Sequence, residues 1–547
     1  MRLIVSRPVL PEVDGGRALS RHCAEPALRT SAPSLARAFL CTLVSAALTT
    51  PTVVLAQAQG DTSAPSGVLV PRLSVSETIS DNVSIAAGAS SGGKRGDQIT
   101  QISPGFSINS HGARVKASAD YSLNEFLYMQ DSSRNNRQNS LNSSVSIEAL
   151  ENWAYVDFHG GISQQNISAF GTQNPNSYTT NTNRTETATL NLSPYIRGRI
   201  SDSATYELRN NWSASHSKSS LAADVESTEW LAKLSGSTAF QNLGWSVSGT
   251  QQDVTYSGGR DAKSSSLRGT LNYRITPQLM VFLQEGRETS NYTARSQSNT
   301  TAGYGLEWSP SERTRLSAQR ENRFFGDGHT VSLSHRTPLS SWQFTDSRNV
   351  SILPNQMTLG SLGNVYDLLF TQFASQEPDL IKRGQLVNRF LQANGIPANT
   401  QVVGGFLSTS ASVLRSQSLS VALTGARNTV TLLLTQNESQ RLGASTGPND
   451  PFANASTIRQ RGLNINWSLR LSGFSTLNVA GSTQRSSGSG STTAANADTT
   501  MRSLNLTLST SLTPKVSASV AARHSVFDST TNPYTENAIT GTVTARF

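Results

Sequence analysis

The chain ends in TGTVTARF, residues 540–547. Counting back from the terminus, Phe547, Ala545, Val543, Gly541 and Ile539 share one face, while Arg546, Thr544, Thr542 and Thr540 share the other. A period of two is the period of a β-strand. One face is wholly apolar or glycine and the last residue is aromatic. This pattern resembles the C-terminal signal strand of bacterial outer-membrane barrels, in which a final Phe closes the barrel at the periplasmic rim. Phe547 is the candidate assembly signal. Ala545 departs from the pattern, since a Tyr is more usual there.

The same alternation recurs upstream. Leu463, Ile465, Trp467, Leu469 and Leu471 alternate with Asn464, Asn466, Ser468 and Arg470. Leu504, Leu506 and Leu508 alternate with Asn505, Thr507 and Ser509; the leucines are expected to face lipid and Asn505 and Thr507 the lumen. Residues 114–124 set Val115, Ala117, Ala119, Tyr121 and Leu123 against Arg114, Lys116, Ser118, Asp120, Ser122 and Asn124. Many such strands in series, with no wholly apolar strand among them, favour a barrel with one face in lipid over a sandwich. Composition agrees: only 36% of residues are hydrophobic and the mean hydropathy is −0.33, as expected when half of every strand faces a polar lumen.

Connections alternate in length. Short ones include Ser110-His111-Gly112, Glu151-Asn152, Thr276-Pro277-Gln278, Ser309-Pro310-Ser311 and Thr337-Pro338-Leu339, and longer polar ones cover 81–97, 166–183, 438–456 and 484–500. Short periplasmic turns and long external loops are the barrel pattern. The reading is an all-β transmembrane antiparallel barrel of about 18–22 strands over residues 68–547 with one inserted helical hairpin. No fixed-period repeat is present.

The N-terminus points to export. AFLCTLVSAAL (38–48) follows Arg29 and Arg37 and has the length of a signal-peptide core, too short to span a membrane. Cleavage is expected after Ala56 or Ala58. Residues 1–58 are read as a signal peptide with a long n-region, the true start lying downstream of Met1, and 59–67 as a linker. Cys41 has no lipobox before it. The two cysteines, Cys23 and Cys41, both fall in the removed part, which excludes disulfides and thiolate sites from the mature chain.

Residues 364–395, NVYDLLFTQFASQEPDLIKRGQLVNRFLQANG, break the alternation. Pro378, flanked by Glu377 and Asp379, suits a helix start, and Leu380, Gly384, Val387 and Leu391 share a face at helical spacing. Asn394-Gly395 supplies a stop, Pro397 follows, and a shorter helix is expected over Val365–Phe373. Strand parity assigns this hairpin to an external loop. It is either a surface ornament or a constriction folded back into the lumen; in the second case Leu368, Leu369, Phe373, Leu380, Val387 and Leu391 form the candidate gate.

The stretch HRTPLSSWQFTDSRNV (His335–Val350), the helical FTQFASQEPDLIKRGQLVNRFLQANGIP after it and the barrel-like remainder together resemble PEP-CTERM/exosortase system-associated outer-membrane proteins of exopolysaccharide clusters, an EpsL-like group. The resemblance implies an outer-membrane location and a role in making or exporting surface polysaccharide. It brings no catalytic residue. The partners expected are outer-membrane lipid, the barrel-assembly machinery, polysaccharide and periplasmic export proteins.

The formal charge is +9. Arg114, Arg268, Arg274 and Arg470 fall on polar strand faces and are the candidate lumen charges, as does Arg546. They favour anions unless carboxylates such as Asp120 and Glu307 neutralise them. The basic residues form no patch, so nucleic acid is not an expected partner. The seven histidines are scattered; His159 near Asp157 and His524 near Ser525 are the nearest to a catalytic pairing, no hydrolase or phosphate-binding motif occurs, and no two histidines have metal-ligand spacing. No enzyme, cofactor or metal is expected. Trp153, Trp245, Trp308 and Trp342 lie by short turns, as an interfacial girdle requires, or stack on sugars inside the pore. The expected function is an exopolysaccharide export channel or accessory; alternatives are a general or solute-specific porin and a structural barrel or adhesin. A TonB-type transporter needs an N-terminal plug, for which the strand pattern, beginning at Val68, leaves no room.

Overall fold

A computed structural model describes residues 67–85, 93–179, 181–258, 260–293, 296–352, 366, 369–370, 380–394, 405–443, 450–453, 455–490 and 498–547. The leader and almost all of the linker, residues 1–66, lie outside the described residues. The barrel belongs to the unit from Thr62 to Phe547.

Twenty-two strands form one antiparallel sheet: β1 (Gly67–Ser80), β2 (Asp97–His111), β3 (Val115–Tyr128), β4 (Asn136–Leu150), β5 (Ala154–Asn166), β6 (Arg184–Ser201), β7 (Ala204–Ser217), β8 (Val225–Ser237), β9 (Leu243–Tyr256), β10 (Ala262–Thr276), β11 (Leu279–Ser290), β12 (Gln297–Ser311), β13 (Thr314–Arg323), β14 (Gly326–Arg336), β15 (Ser340–Ser351), β16 (Ser412–Thr424), β17 (Asn428–Arg441), β18 (Thr457–Arg470), β19 (Ser475–Ser489), β20 (Asp498–Ser511), β21 (Val516–Ser529) and β22 (Tyr534–Arg546). Each pairs with its chain neighbours. β1 also pairs with β22, from Arg72↔Arg546 to Ser80↔Ala538, and this seam closes the barrel. The Phe547 amide donates to the Pro71 carbonyl at 3.0 Å, so the last residue fastens the end of the seam.

Strand parity sorts the two faces. Leu504, Leu506 and Leu508 are 53%, 45% and 47% exposed on the exterior, and Asn505 and Thr507 point to the lumen. In β22 Ile539 and Val543, and after it Phe547, are exposed outside, whereas Thr540, Thr542 and Thr544 point inward. A continuous exposed apolar face of this kind has no place in water; with a closed sheet that leaves no free edge, it is the solution for crossing a bilayer with strands. The protein is an outer-membrane β-barrel. No described helix is long and apolar enough to cross a membrane.

One end carries short turns: 112–114, 151–153, 202–203, 277–278 and 312–313 are examples, and β1 starts and β22 ends there. That end is periplasmic. Exposed Trp308, Trp342 and Trp467 lie on outward positions close to it, and Trp245 stands on the same outer face near the start of β9; Trp153 sits in the 151–153 turn and donates to the Tyr206 hydroxyl at 2.9 Å. This is the girdle arrangement, not a sugar-stacking one.

Four local expectations are corrected. Ser110 and His111 belong to β2 and the turn there is 112–114. Ser309-Pro310-Ser311 is the end of β12 and the turn is 312–313; Pro310 is tolerated because the β12–β13 register shifts between Trp308 and Ser311, where no ladder donor is needed. Arg114 lies in the turn before β3, not on it. The loops drawn as 438–456 and 484–500 are shorter, because β17 and β19 keep their ladders to Arg441 and Ser489.

Candidate functional site

A barrel of 22 strands encloses a lumen wide enough to leak unless something fills it. The lumen wall is dominated by hydroxyls and amides. Along the closing seam Ser74 bonds Thr544 at 2.8 Å, Ser76 bonds Thr542 at 2.9 Å and Thr78 bonds Thr540 at 2.9 Å. Wall guanidinium groups stand beside carboxylates. Arg72 pairs with Asp120 through a 2.7 Å Nη2–Oδ1 bond, Arg209 with Asp157 at 3.3 Å, Arg268 with Glu321 at 2.7 Å and Arg323 with Glu288 at 2.6 Å.

The candidate lumen charges therefore part company. Arg268 is on the lumen wall and neutralised. Arg114 pairs with Glu151 at 3.0 Å in the periplasmic turns. Arg274 and Arg470 sit on inward-facing positions near the periplasmic ends of β10 and β18 and are exposed. Asp120 and Glu307 do act as partners, but to Arg72 and to Arg315 (3.1 Å). His524 bonds Asn537 at 2.7 Å on the outer face, while Ser525 is fully buried on the inner one, so the two do not form a dyad.

At the external mouth the β5–β6 connection folds across the lumen. Its anchor is Glu536, near the external end of β22 and 0% exposed. The carboxylate accepts from Ser80 Oγ (2.9 Å), Asn176 Nδ2 (3.1 Å) and Tyr178 Oη (2.9 Å), and Arg523 lies at 3.3 Å. Burying a carboxylate is costly unless it is paired and fully hydrogen-bonded, and here it is both. Asn176 also fixes the loop's own shape, accepting from the Thr179 amide (3.0 Å) and hydroxyl (2.8 Å). Burial pushes the Tyr178 phenol above its ordinary value, which keeps it a donor. Tyr534 Oη donates to the Gln173 carbonyl at 2.6 Å.

The same loop reaches the far side of the ring. Ala169 and Phe170 pack with Phe406, Phe452, Ala455 and Ile458. Residues 405–411 join in: the Leu407 amide donates to the Asn166 carbonyl at 3.2 Å, and Ser408, Thr409 and Ser410 all donate to the Asp450 carboxylate at 3.0–3.2 Å. Beneath this lid the inner wall turns apolar. Ile99, Phe126 and Tyr128 pack on Tyr178, and Phe527 and Tyr534 pack on Ile85.

A second obstruction lies lower. The β15–β16 connection contains α1 (Leu380–Asn394). Tyr366, Leu369, Val387 and Leu391 form one buried cluster with Phe370 against it. Position 384 is glycine for a steric reason: a Cβ there would stand 2.9 Å from Tyr366 Oη. The same Cβ would be 3.9 Å from Ser118 Oγ, on the inner face of β3 close to the periplasmic turns. α1 packs against both β3 and β19, which stand six strand positions apart through the β1–β22 closure. A helix touching both does so through the lumen. Of the candidate gate residues, Leu369, Val387 and Leu391 are thus brought together; Leu368 and Phe373 lie outside the described residues, as does the side chain of Leu380.

No family model matches the chain, and no curated protein does. Solved structures similar to it include the siderophore receptor PirA from Pseudomonas aeruginosa (11% identity, 89% of this chain and 82% of that one, TM-score 0.42), a mutant of the ferric enterobactin receptor PfeA from the same organism (10%, 87% and 80%, 0.43), and the FrpB iron transporter from Neisseria meningitidis, F5-1 variant (9%, 87% and 81%, 0.46).

Proposed function

We propose that this barrel is the outer-membrane conduit of an exopolysaccharide system, of the EpsL-like kind, held shut at rest by its own loops. The observation that carries the reading is the lumen wall: serine, threonine and asparagine in long rows, with its paired arginines neutralised by carboxylates. A hydroxylated polymer moving past such a wall exchanges one hydroxyl partner for the next, at little net cost per hydrogen bond. A conduit for a long chain must also be sealed when empty, and two levels of closure serve that need. A general porin has no use for them. The partners follow from the reading: polysaccharide in the lumen and export proteins at the periplasmic turns.

The test is conductance in planar bilayers together with secretion. Replacing residues 364–395 by a short Gly/Ser bridge is expected to leave heat-modifiable migration intact, to raise conductance, and to deregulate or abolish polymer secretion. The open variant's current is expected to be interrupted by linear neutral oligosaccharides. Equal conductance of wild type and deletion removes the gate. Free passage of small solutes with no block by oligosaccharide favours the porin.

A further inference from the structure

The exterior of the barrel is apolar at mid-height and charged toward the external loops, and the charges are unevenly placed. At several places an outward cation meets an outward anion: Arg137 pairs with Glu125 at 2.6 Å, Lys263 with Asp253 at 3.2 Å and Lys218 with Glu186 at 2.7 Å. On β15 and β16 two outward arginines, Arg348 and Arg415, stand opposite each other, and Asp346 takes up Arg415. Between β17 and β20 the register brings Arg461 directly opposite Arg485. Like charges facing each other on neighbouring strands oppose pairing. Asp498 takes up Arg485 from the other side, and Glu438 takes up Arg459. Among the described residues Arg461 bonds the neutral side-chain oxygen of Gln436, at 3.0 Å, and no carboxylate.

A slot runs below this pair toward mid-membrane. Two outward steps beneath Arg485, position 481 is glycine, flanked in register by Ile465 and Leu504. Nothing lies within 4 Å of where a Cβ would be. Ile465 and Leu504 are exposed, so they form the two walls of a groove one residue wide.

We infer that this face binds a phosphorylated lipid of the outer leaflet: the phosphate lies between Arg461 and Arg485 and an acyl chain lies over Gly481. The vertical order of the residues selects an amphiphile. Cations stand at the height of the headgroups and the groove stands at the height of the chains. Arginine suits the headgroup, because its planar fork takes two oxygens of one phosphate. A water-soluble anion would use the cations and ignore the groove.

The intact barrel, extracted in mild detergent and stripped of lipid, tests this by titration with bis-phosphorylated lipid A, dephosphorylated lipid A and inorganic phosphate. Bis-phosphorylated lipid A is expected to bind at least about tenfold more tightly than either other probe, the step that one lost charge-assisted contact supplies. Arg461→Gln and Gly481→Leu are each expected to weaken it by about tenfold, and Arg137→Gln to leave it unchanged. Heat-modifiable migration verifies that each variant is folded, and Gly481→Leu keeps the test open if Arg461→Gln does not assemble. Inorganic phosphate binding as tightly as the lipid would make this a simple anion site and overturn the proposal. So would unchanged lipid binding in both variants, or a Gly481→Leu barrel that loses self-association while still holding lipid, which would put a second copy of the chain in the groove.

Discussion

The lumen is crossed at two levels held by opposite chemistry, and these are the two proposed closures. The upper closure is polar at its anchor: one buried carboxylate, Glu536, holds Asn176, Tyr178, Ser80 and Arg523. The lower closure is apolar within itself: Tyr366, Leu369, Val387 and Leu391 pack as a small core, and its helix lies against β3 and β19. A polar anchor has defined geometry and is lost all at once when a partner goes. An apolar cluster yields gradually and re-forms in more than one way. The upper level is thus suited to release at a single contact and the lower to gradual displacement.

The strongest way to break this contrast is Glu536→Ala. It strands Arg523 without its carboxylate, and docking of residues 167–183 is expected to weaken by about 3–5 kcal/mol. Hydrogen exchange checks it: protection falls in 167–183 and is kept in α1. Equal loss in both would mean one closure, not two. A somewhat smaller effect, on the barrel and not on its closures, is expected of Leu506→Arg. A guanidinium among lipid-facing leucines costs about 2–4 kcal/mol, and Asn505→Arg on the lumen side costs far less; unfolding in urea measures both. Leu391→Ala is expected to cost the lower closure about 2 kcal/mol, the low end for a buried leucine, since its few neighbours can close around the gap. Bilayer recordings then show brief openings, while chymotrypsin still spares Phe170 and Tyr178 in 167–183. The smallest effect is that of Tyr178→Phe, about 1–2 kcal/mol for the two hydrogen bonds of its hydroxyl, one donated to Glu536 and one accepted from Arg523. It sharpens the comparison, because the ring stays packed on Phe126 while the carboxylate loses a donor; exchange in 176–179 rises and the rest of the loop stays protected.

The sequence made the barrel legible because every strand repeats the same physical demand. Alternation at 463–471 and 504–508 follows from lipid on one side and water on the other, and Phe547 marks the seam. The helical insertion was legible for the converse reason, as the long stretch where the period changes. The lid was not. Residues 166–183 are polar enough to pass for a solvated loop, and the bond between Tyr178 and Glu536 joins residues 358 apart. A signal was nonetheless present. Phe170, Tyr178, Phe406 and Phe452 are aromatics inside polar loops, and Phe126 and Phe527 are aromatics on otherwise polar strand faces near the external rim. Aromatics in both places need each other. The ionic pairing of Arg268 was hidden in the same way, since Glu321 lies three strands further along the ring.

Residues 352–411 supply both α1 and the Phe406–Ser410 stretch of the lid. From Asn394 to Gly405 the chain has eleven steps, at most about 40 Å when fully drawn out. The two closures are therefore tied to one cord of fixed length, like two latches on one cable. The length of chain alone thus sets an upper limit on how far the two levels can move apart.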